Sequence, residues 1–537
     1  MSRIIHNSRF DTLVTLVLLV VVVALSGCAA LQGNGLIIAA GEGDAAEAQA
    51  ALEKSVDVNR VDKEQRFALL EAASNGHPEV VELLVENGAD VDLSNRSGMT
   101  ALMAAASSGH ESIVRYLIAQ DADVSLKNQR GFTALHFALD QGDINVIEAL
   151  VEKGAPVNVS GKKEVPPLFL AVERANKAAA ELLIENGAEL DAKNPDGNTP
   201  LHAAAKKASP ELVQLLLDAG APVSAKNDNG ADALLVAAGS NYFTIVENLY
   251  KRVADSVDGD FAQYQADADE DGAGQRYNLY DILQALEGIR PGYSSDTDIK
   301  EFHHALANSP LTLVVSEETF QSVIAGLRKD YLETATLLLE AGLPVNTSDR
   351  RGETVLMKLC KQKDCVAAEF EKKSIQLAPD VAARLNSACE NAGIIHAELM
   401  VLFIKKGADV AARDENEQTA LMYACENENF QYAKFLIRHG ADVNKANYEG
   451  WTPLIYAAAN EDFEMVKLLL DAGAAVNAAN SFGETALLKV AHRNNPKIAE
   501  LLVKNGADPD IENSHSNSPR SIAREYGYSE ILEIFRR

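Results

Sequence analysis

Short apolar stretches recur along most of the chain, and Gly450–Asn477 shows their pattern most clearly. Thr452 and Pro453 are residue types that begin helices. Thr accepts a hydrogen bond from an unpaired backbone N–H, and Pro has no N–H that needs a partner at the first helical position. The pattern predicts a short Ala-rich helix over about 453–459 and a second helix over about 463–471.

The second predicted helix carries a single apolar stripe, formed by Phe463, Val466, Leu469 and Leu470. Gly473 then fits the left-handed backbone conformation with which many helices end. A helix pair this small cannot bury its apolar residues alone and needs a neighbouring pair on each side. The pattern therefore predicts a stack of repeated helix pairs.

The pattern returns with a period of 33 residues. A glycine opens it, at what we call the leading position, in Gly98, Gly131, Gly197, Gly230, Gly352, Gly450 and Gly483. Thr follows two residues later at Thr100, Thr133, Thr199, Thr354, Thr452 and Thr485. A helix-ending glycine stands 23 residues after the leading position at Gly154, Gly220, Gly473 and Gly506. Each repeat is named below by its leading residue.

Three segments match known repeat motifs in their amino-acid sequence. Gly131–His136 reads GFTALH, Gly197–His202 reads GNTPLH, and Gly440–Asn444 reads GADVN. These resemble the opening and closing motifs of the ankyrin repeat. The resemblance implies an all-α fold, an ankyrin-repeat α-solenoid of about 14 repeats with β-hairpin tips. It also implies that His136 and His202 are structural residues, which hydrogen-bond between adjacent turns.

The first 27 residues differ from the repeats. Arg3 and Arg9 precede an uncharged apolar run, Leu13–Leu25, which is too short to span a bilayer comfortably. This order is typical of a secretory signal peptide over residues 1–27. The segment ends in Leu-Ser-Gly-Cys28, which resembles the lipobox of bacterial lipoproteins, where the Cys is acylated and becomes the first mature residue. The alternative is an ordinary signal peptide, or an uncleaved anchor, that ends near a Cys.

Acylation of Cys28 implies a protein that is lipid-anchored in the bacterial cell envelope and faces the periplasm. Each buried CH₂ of an acyl chain contributes roughly 0.8 kcal/mol to membrane binding. Ala29, rather than Asp, follows the Cys. By the sorting preference of enteric-type lipoproteins this favours the outer membrane over the inner one.

The period divides the rest of the chain. We expect an N-terminal array over 28–253, an irregular acidic and helical insertion over 254–317, and a C-terminal array over 318–537 that ends in a cap at 516–537. Counting back from Gly342 places the first leading residue after the insertion at Thr319.

The interval from Gly352 to Glu417 is 65 residues, one short of two periods. We interpret 352–416 as two degenerate repeats rather than as one repeat that carries an inserted segment.

Charge and motifs restrict the function. The chain has 49 Lys+Arg against 78 Asp+Glu, a net charge of −29, which argues against nucleic acid and against lying flat on an anionic membrane. The surface either attracts a basic partner or is simply well solvated. No hydrolase, P-loop, metalloprotease or dinucleotide-binding motif is present, so we expect no enzyme, no cofactor, no metal and no small-molecule substrate.

Four cysteines follow Cys28. Cys360 and Cys425 share one repeat position and are expected to be small buried residues. Cys365 and Cys389 are a candidate disulfide, because an exported chain meets an oxidising compartment.

Ankyrin-repeat proteins usually bind proteins through the hairpin tips and the exposed side of the first helices, so the resemblance implies a protein partner. The candidate binding residues flank the leading positions and are Arg96, Met99, Arg130, Phe132, Arg350, Arg351, Tyr448, Trp451 and Phe482. Aromatic residues and Arg dominate interface hot spots, and we expect Tyr448, Trp451 and Phe482 to form an exposed aromatic ridge. The alternative is that these rings pack against neighbouring tips.

The function expected from the resemblance is that of a non-catalytic protein-binding scaffold in the envelope. One alternative is a periplasmic inhibitor or immunity protein that caps a toxin or hydrolase. A second is a structural spacer of the envelope.

Overall fold

The computed structural model describes residues 35–158, 164–239, 317–361 and 394–536. The chain divides into two compact blocks. The N-terminal block holds Met1–Pro200 and Ala219–Ala221, and the C-terminal block holds Leu201–Asp218 and Pro222–Arg537. The predicted signal peptide 1–27, the candidate lipidation site Cys28 and the candidate disulfide Cys365–Cys389 lie outside the described residues.

The N-terminal block contains five described helix pairs. Their bounds are 35–42 (α1), Ala45–Glu53 (α2), Ala68–Asn75 (α3), Pro78–Glu86 (α4), Ala101–Ser107 (α5), Glu111–Ala119 (α6), Ala134–Gln141 (α7), Ile144–Glu152 (α8), Pro167–Glu173 (α9) and Lys177–Glu185 (α10). First helices pack on first helices, as α5 does between α3 and α7, and second helices pack on second helices, as α6 does between α4 and α8.

The C-terminal block contains seven described helix pairs. Their bounds are Pro200–Lys206 (α11), Pro210–Asp218 (α12), Ala233–Ala238 (α13), Glu317–Glu340 (α14), Val355–Cys360 (α15), 394–405 (α16), Ala420–Glu426 (α17), Phe430–Arg438 (α18), Pro453–Ala459 (α19), Phe463–Asp471 (α20), Ala486–Arg493 (α21), Pro496–Lys504 (α22), Pro519–Glu525 (α23) and Ser529–Ile534 (α24).

The predicted all-α fold is confirmed. Within the described ranges the strand-type pairing is limited to isolated antiparallel bridges, which close three of the tips at Ser94–Thr100, Ser348–Thr354 and Ala479–Thr485. The tips are therefore tight hairpin-like turns without a sheet. Of the helices in these ranges, none is both long and apolar enough to cross a membrane.

The Gly450 repeat begins and ends its helices as its sequence predicts. Thr452 Oγ1 accepts a hydrogen bond from Ile455 N at 3.3 Å, and Asp462 Oδ1 accepts one from Met465 N at 3.0 Å, so both helices carry a side-chain cap. The backbone of Gly473 is left-handed, with φ +88°.

In five repeats a closing Asn joins the repeat to the next one. Asn444 Nδ2 donates to Gly473 O at 3.1 Å, and Asn444 Oδ1 accepts from Ala475 N at 2.7 Å. The same pair of hydrogen bonds is formed by Asn59, Asn158, Asn346 and Asn477. Because the partner always belongs to the following repeat, this bond identifies which repeats are neighbours.

The predicted insertion lies within one repeat, not between two repeats. Arg350 N donates to Asn229 O at 2.9 Å, so the tip of the Gly352 repeat lies directly against the tip of the Gly230 repeat. Helix α14 packs on α12 and on α13 and is therefore the second helix of the Gly230 repeat. Thr319 lies inside this 24-residue helix and leads no repeat. The division into an insertion at 254–317 and an array from 318 is corrected accordingly.

Within 352–416 the described residues form one repeat of the stack, where two degenerate repeats were expected. Glu415 N donates to Arg351 O at 2.8 Å, a bond that joins adjacent tips elsewhere in the block. Asn346 reaches Gly407 as it would reach the helix end of the next repeat. The first helix is α15, the second is α16, and residues 362–393 between them lie outside the described residues. The helices in the described ranges form twelve pairs.

Candidate protein-binding surface

Nine tips are built around an Asn or Asp three residues before the leading position. Asn447 Oδ1 accepts hydrogen bonds from Glu449 N at 3.0 Å and from Trp451 N at 2.9 Å. The backbone closes the same turn, because Asn447 N donates to Trp451 O and Gly450 N donates to Asn447 O. Equivalent side-chain bonds are made by Asn95, Asn128, Asn194, Asn227, Asp349, Asp414, Asn480 and Asn513.

The leading glycine lets successive tips lie in contact. Gly450 has φ +80°, and a Cβ there would lie 2.8 Å from Ser481 N and 2.9 Å from Asn480 Cα. Across this contact Ser481 N donates to Glu449 O at 2.8 Å. At Gly450 a Cβ would meet the backbone of the next tip, so glycine is favoured there by both its backbone conformation and the close approach.

The candidate binding residues differ in exposure. Tyr448 is 84% exposed and Phe482 52% exposed. Arg96, Arg130, Arg350 and Arg351 are also exposed, whereas Met99, Phe132 and Trp451 are half-buried. Phe132 stacks on His136, with ring centroids 5.1 Å apart, and makes an edge contact with Phe137.

Trp451 does not belong to an exposed ridge. Its ring lies 4.9 Å from the ring of Tyr456 in the same repeat, and Lys489 Nζ of the next repeat lies 4.9 Å from the Trp451 ring centroid. No described ring contact joins Trp451 to Tyr448 or Phe482. The expected ridge of three exposed rings therefore consists of two exposed rings and one ring that packs against the first helices.

Trp451 is part of an inner-face network that sequence reasoning missed. The network uses the residue three before, one after and six after the leading position. In the Gly450 repeat these are Asn447, Trp451 and Tyr456, and Asn447 Nδ2 donates to Tyr456 Oη at 3.1 Å. Gln418 of the preceding repeat also donates to Tyr456 Oη, at 3.2 Å, so the network crosses from repeat to repeat.

The two outer repeats of the inner-face network carry Glu–Lys pairs in place of the aromatic residues. In the Gly483 repeat, Lys489 Nζ donates to Glu484 Oε2 at 2.5 Å, and Asn480 Nδ2 donates to the same oxygen at 2.9 Å. In the Gly352 repeat, Lys358 Nζ donates to Asp349 Oδ2 at 2.6 Å and to Glu353 Oε2 at 2.5 Å.

Charge pairing keeps these groups ionised. Burial raises the pKa of the Glu353 carboxyl, but hydrogen bonds from Lys358 and Lys361 outweigh burial and leave this pKa below its ordinary value. Burial lowers the pKa of Lys358, but its bonds to Asp349 and Glu353 leave that pKa above its ordinary value.

The inner-face network spans four consecutive repeats of the C-terminal block. The residue six after the leading position is Lys358, Tyr423, Tyr456 and Lys489 in these repeats. In the N-terminal block the same position holds Glu71, Ala104, Phe137 and Leu170. Tyr423, Tyr456 and Lys489 are spaced by one period, so the sequence carried a signal for this network. The 33-residue pattern was defined by apolar residues, glycines and threonines, which do not mark these side chains.

The remaining His and Cys residues that the sequence singled out have structural surroundings. His136 Nε2 bonds to Val165 O at 2.9 Å and His202 Nε2 bonds to Ala231 O at 3.0 Å, which confirms the expected role of both. Burial lowers the pKa of His136. Cys360 and Cys425 are fully buried and unpaired, as predicted. In the described parts of the chain no group of His, Cys, Asp and Glu could hold a metal ion.

Family models account for most of the chain. A model described as ankyrin repeats in three copies matches residues 16–95, 88–161, 168–260 and 385–480, and one described as ankyrin repeats in many copies matches residues 462–503. The chain belongs to the ankyrin-repeat family. Its repeats indicate a protein–protein interaction scaffold, a role that is typically non-catalytic in this family.

One similar solved structure is the crystal structure of the human ASB11 ankyrin repeat domain. It is 30% identical, covers 37% of this ankyrin-repeat chain and 89% of its own chain, and has a TM-score of 0.34. A search of curated proteins finds no match.

Proposed function

We propose that this ankyrin-repeat protein is a non-catalytic scaffold that binds a partner protein through the tips and first helices of its C-terminal block. A lipid on Cys28 would hold it in the bacterial envelope, facing the periplasm. The observation that carries the proposal is a row of tips in which the hydrogen-bonded backbone frame is constant and the exposed side chains vary.

The constant frame gives the row its rigidity. Tyr448 N donates to Asn416 O at 3.0 Å, Ser481 N to Glu449 O at 2.8 Å, and Ser514 N to Phe482 O at 2.8 Å. These bonds link four consecutive tips of the C-terminal block. A rigid row loses little conformational freedom when a partner binds, which favours affinity.

Tyr448 and Phe482 are the strongest candidate contacts on this row. Large aromatic rings gain free energy when they leave water, and they are enriched among the residues that dominate interface energies. Each ring is exposed at the tip and has no ring partner among the described residues. Arg350 and Arg351 are exposed on another tip of the same block and add charge to the proposed surface.

Attachment to the membrane rests on the sequence alone. The basic start, the apolar run Leu13–Leu25 and the Leu-Ser-Gly-Cys28 motif together support acylation of Cys28. Ala29 supports the outer membrane as the destination. The partner would then be a periplasmic or envelope protein.

Photocrosslinking in intact cells tests the binding proposal. A photoreactive phenylalanine analogue is placed at Tyr448 or at Phe482. The matched control is Lys467, an exposed residue of the second helix α20 in the same block. We expect a discrete crosslinked protein from the two tip positions and none from Lys467. Equal crosslinking from all three positions, or none from the tips, would contradict the proposal.

A further inference from the structure

A cleft of about 490 Å³ lies where the tips of the Gly230 and Gly352 repeats meet, within the C-terminal block. This volume is within the range of ligand pockets, roughly 300–1,000 Å³. The apolar part of the lining, called the floor, comes from Ala231, Leu235, Val236 and Gly239, and the basic side chains come from Lys206, Arg350, Arg351 and Lys358. Asn227, Asp228, Asn229 and Asp349 complete the lining.

Two of the basic groups are not neutralised. Lys358 is paired with Asp349 and Glu353. Arg350 and Arg351, by contrast, are exposed, and neither guanidinium forms a hydrogen bond or ion pair with any residue in the described part of the chain. Two free guanidinium groups on neighbouring residues are notable in a chain with a net charge of −29.

Hydrogen bonds hold the backbone of both arginines in place. Arg350 N donates to Asn229 O at 2.9 Å, and Arg351 N donates to Asp349 Oδ1 at 2.9 Å. Arg350 also packs closely over Gly230, since a Cβ there would lie 2.8 Å from Arg350 Cγ. The backbone that carries both side chains is therefore held in place before any ligand binds.

The chemistry of the cleft favours a carboxylate ligand with an apolar portion. The guanidinium fork matches the two oxygens of a carboxylate and forms paired charge-assisted hydrogen bonds with it. Val236, which is half-buried, is the more accessible apolar side chain of this floor, whereas Leu235 is only 1% exposed. Phosphate would satisfy the arginines, but it would leave this apolar floor uncovered.

We propose that the cleft binds an acidic segment of a partner protein, with its carboxylates on Arg350 and Arg351 and an apolar side chain on the floor. This inference rests on the proposed scaffold function and adds the chemistry of the partner. It commits to a partner that contains neighbouring Asp or Glu and aliphatic residues.

The test measures fluorescence anisotropy of a labelled peptide of alternating Glu and Leu, titrated with the full chain in non-ionic detergent. Arg350→Gln/Arg351→Gln is compared with Arg96→Gln/Arg130→Gln. The control is matched, because Arg96 and Arg130 are exposed tip residues at the same two positions before their leading glycines, and neither lines this cleft. Circular dichroism verifies that both variants are folded.

We expect Arg350→Gln/Arg351→Gln to weaken peptide binding at least about tenfold, or about 1.4 kcal/mol, and the control pair to change it less than about twofold. We also expect weaker binding at high salt and none with a peptide of alternating Gln and Leu.

Three results would overturn the proposal. Equal losses in both double variants would show a response to net charge alone. Binding that appears only after residues 255–274 are deleted would assign the cleft to the chain's own acidic run. No binding of the Glu–Leu peptide would reject the acidic partner, and crosslinking from Tyr448 and Phe482 would still decide the scaffold function separately.

Discussion

At the residue scale, Tyr448 and Trp451 stand three residues apart in one tip but have different surroundings. Tyr448 is 84% exposed, whereas Trp451 lies on Tyr456 and beneath Lys489. The sequence could not separate them, because exposure depends on whether the backbone turn directs a side chain outward or onto the first helices. Asn447 sets that direction through its two bonds within the turn.

These surroundings predict that truncation changes stability much more at Trp451 than at Tyr448. Trp451→Ala removes a ring contact and a cation–π contact and should lower the free energy of unfolding by about 1–2 kcal/mol. Tyr448→Ala should change it by less than about 0.5 kcal/mol. Urea titrations followed by circular dichroism compare the two. A larger loss for Tyr448→Ala than for Trp451→Ala would contradict the structure.

The carboxylate of Glu353 predicts a pH-dependent contribution to stability. Its pKa is lowered from 4.5 in the folded state. Its contribution is therefore fully present above the unfolded pKa and is lost as pH falls through the folded pKa. Glu353→Gln should cost about 2 kcal/mol near neutral pH, and the difference from wild type should shrink near pH 3. The exposed tip residue Glu449, changed to Gln, is the control and should show little effect at either pH.

At the scale of the repeat, sequence periodicity predicted most helices but misplaced two segments. The 33-residue period located the first helix and the helix-ending glycine wherever the spacing is unbroken. It failed after Gly230 and after Gly352, where the two helices of one repeat are separated in sequence. An interval of 65 residues is almost two periods, so the spacing alone indicates two repeats. Only the tip contacts Arg350–Asn229 and Glu415–Arg351 distinguish the cases.

The closing Asn predicts where coupling between repeats resides. Asn444→Ala should destabilise the C-terminal block by about 1–2 kcal/mol, because it removes two hydrogen bonds to the next repeat. Asn505→Ala is the control, since the Asn505 side chain bonds to Leu501 O within its own helix end. Hydrogen exchange at the boundary near Gly473 should increase in the first variant only. Unchanged exchange there would show that this bond does not couple the repeats.

At the scale of the whole molecule, the proposed anchor and the proposed binding surface belong to different parts of the chain. Cys28 comes before the described helices of the N-terminal block in sequence, whereas Tyr448, Phe482 and the arginine cleft belong to the C-terminal block. Attachment and binding should therefore be separable by mutation.

Cys28→Ser should abolish attachment without changing the fold. Wild-type protein should incorporate labelled palmitate and sediment with outer membranes, whereas Cys28→Ser should do neither. Its circular dichroism should be unchanged if the protein is recovered in soluble form. Palmitate labelling of the Cys28→Ser variant would locate the lipid elsewhere or reject it.

The central claim is that a partner protein binds the exposed tips of the C-terminal block. The most direct measurement is the Kd of the crosslinked partner for wild type, for Tyr448→Ala/Phe482→Ala and for Lys467→Ala. We predict that the tip variant weakens binding by more than about 2 kcal/mol with an unchanged melting temperature, and that Lys467→Ala binds as wild type does. An unchanged Kd for the tip variant would contradict the claim.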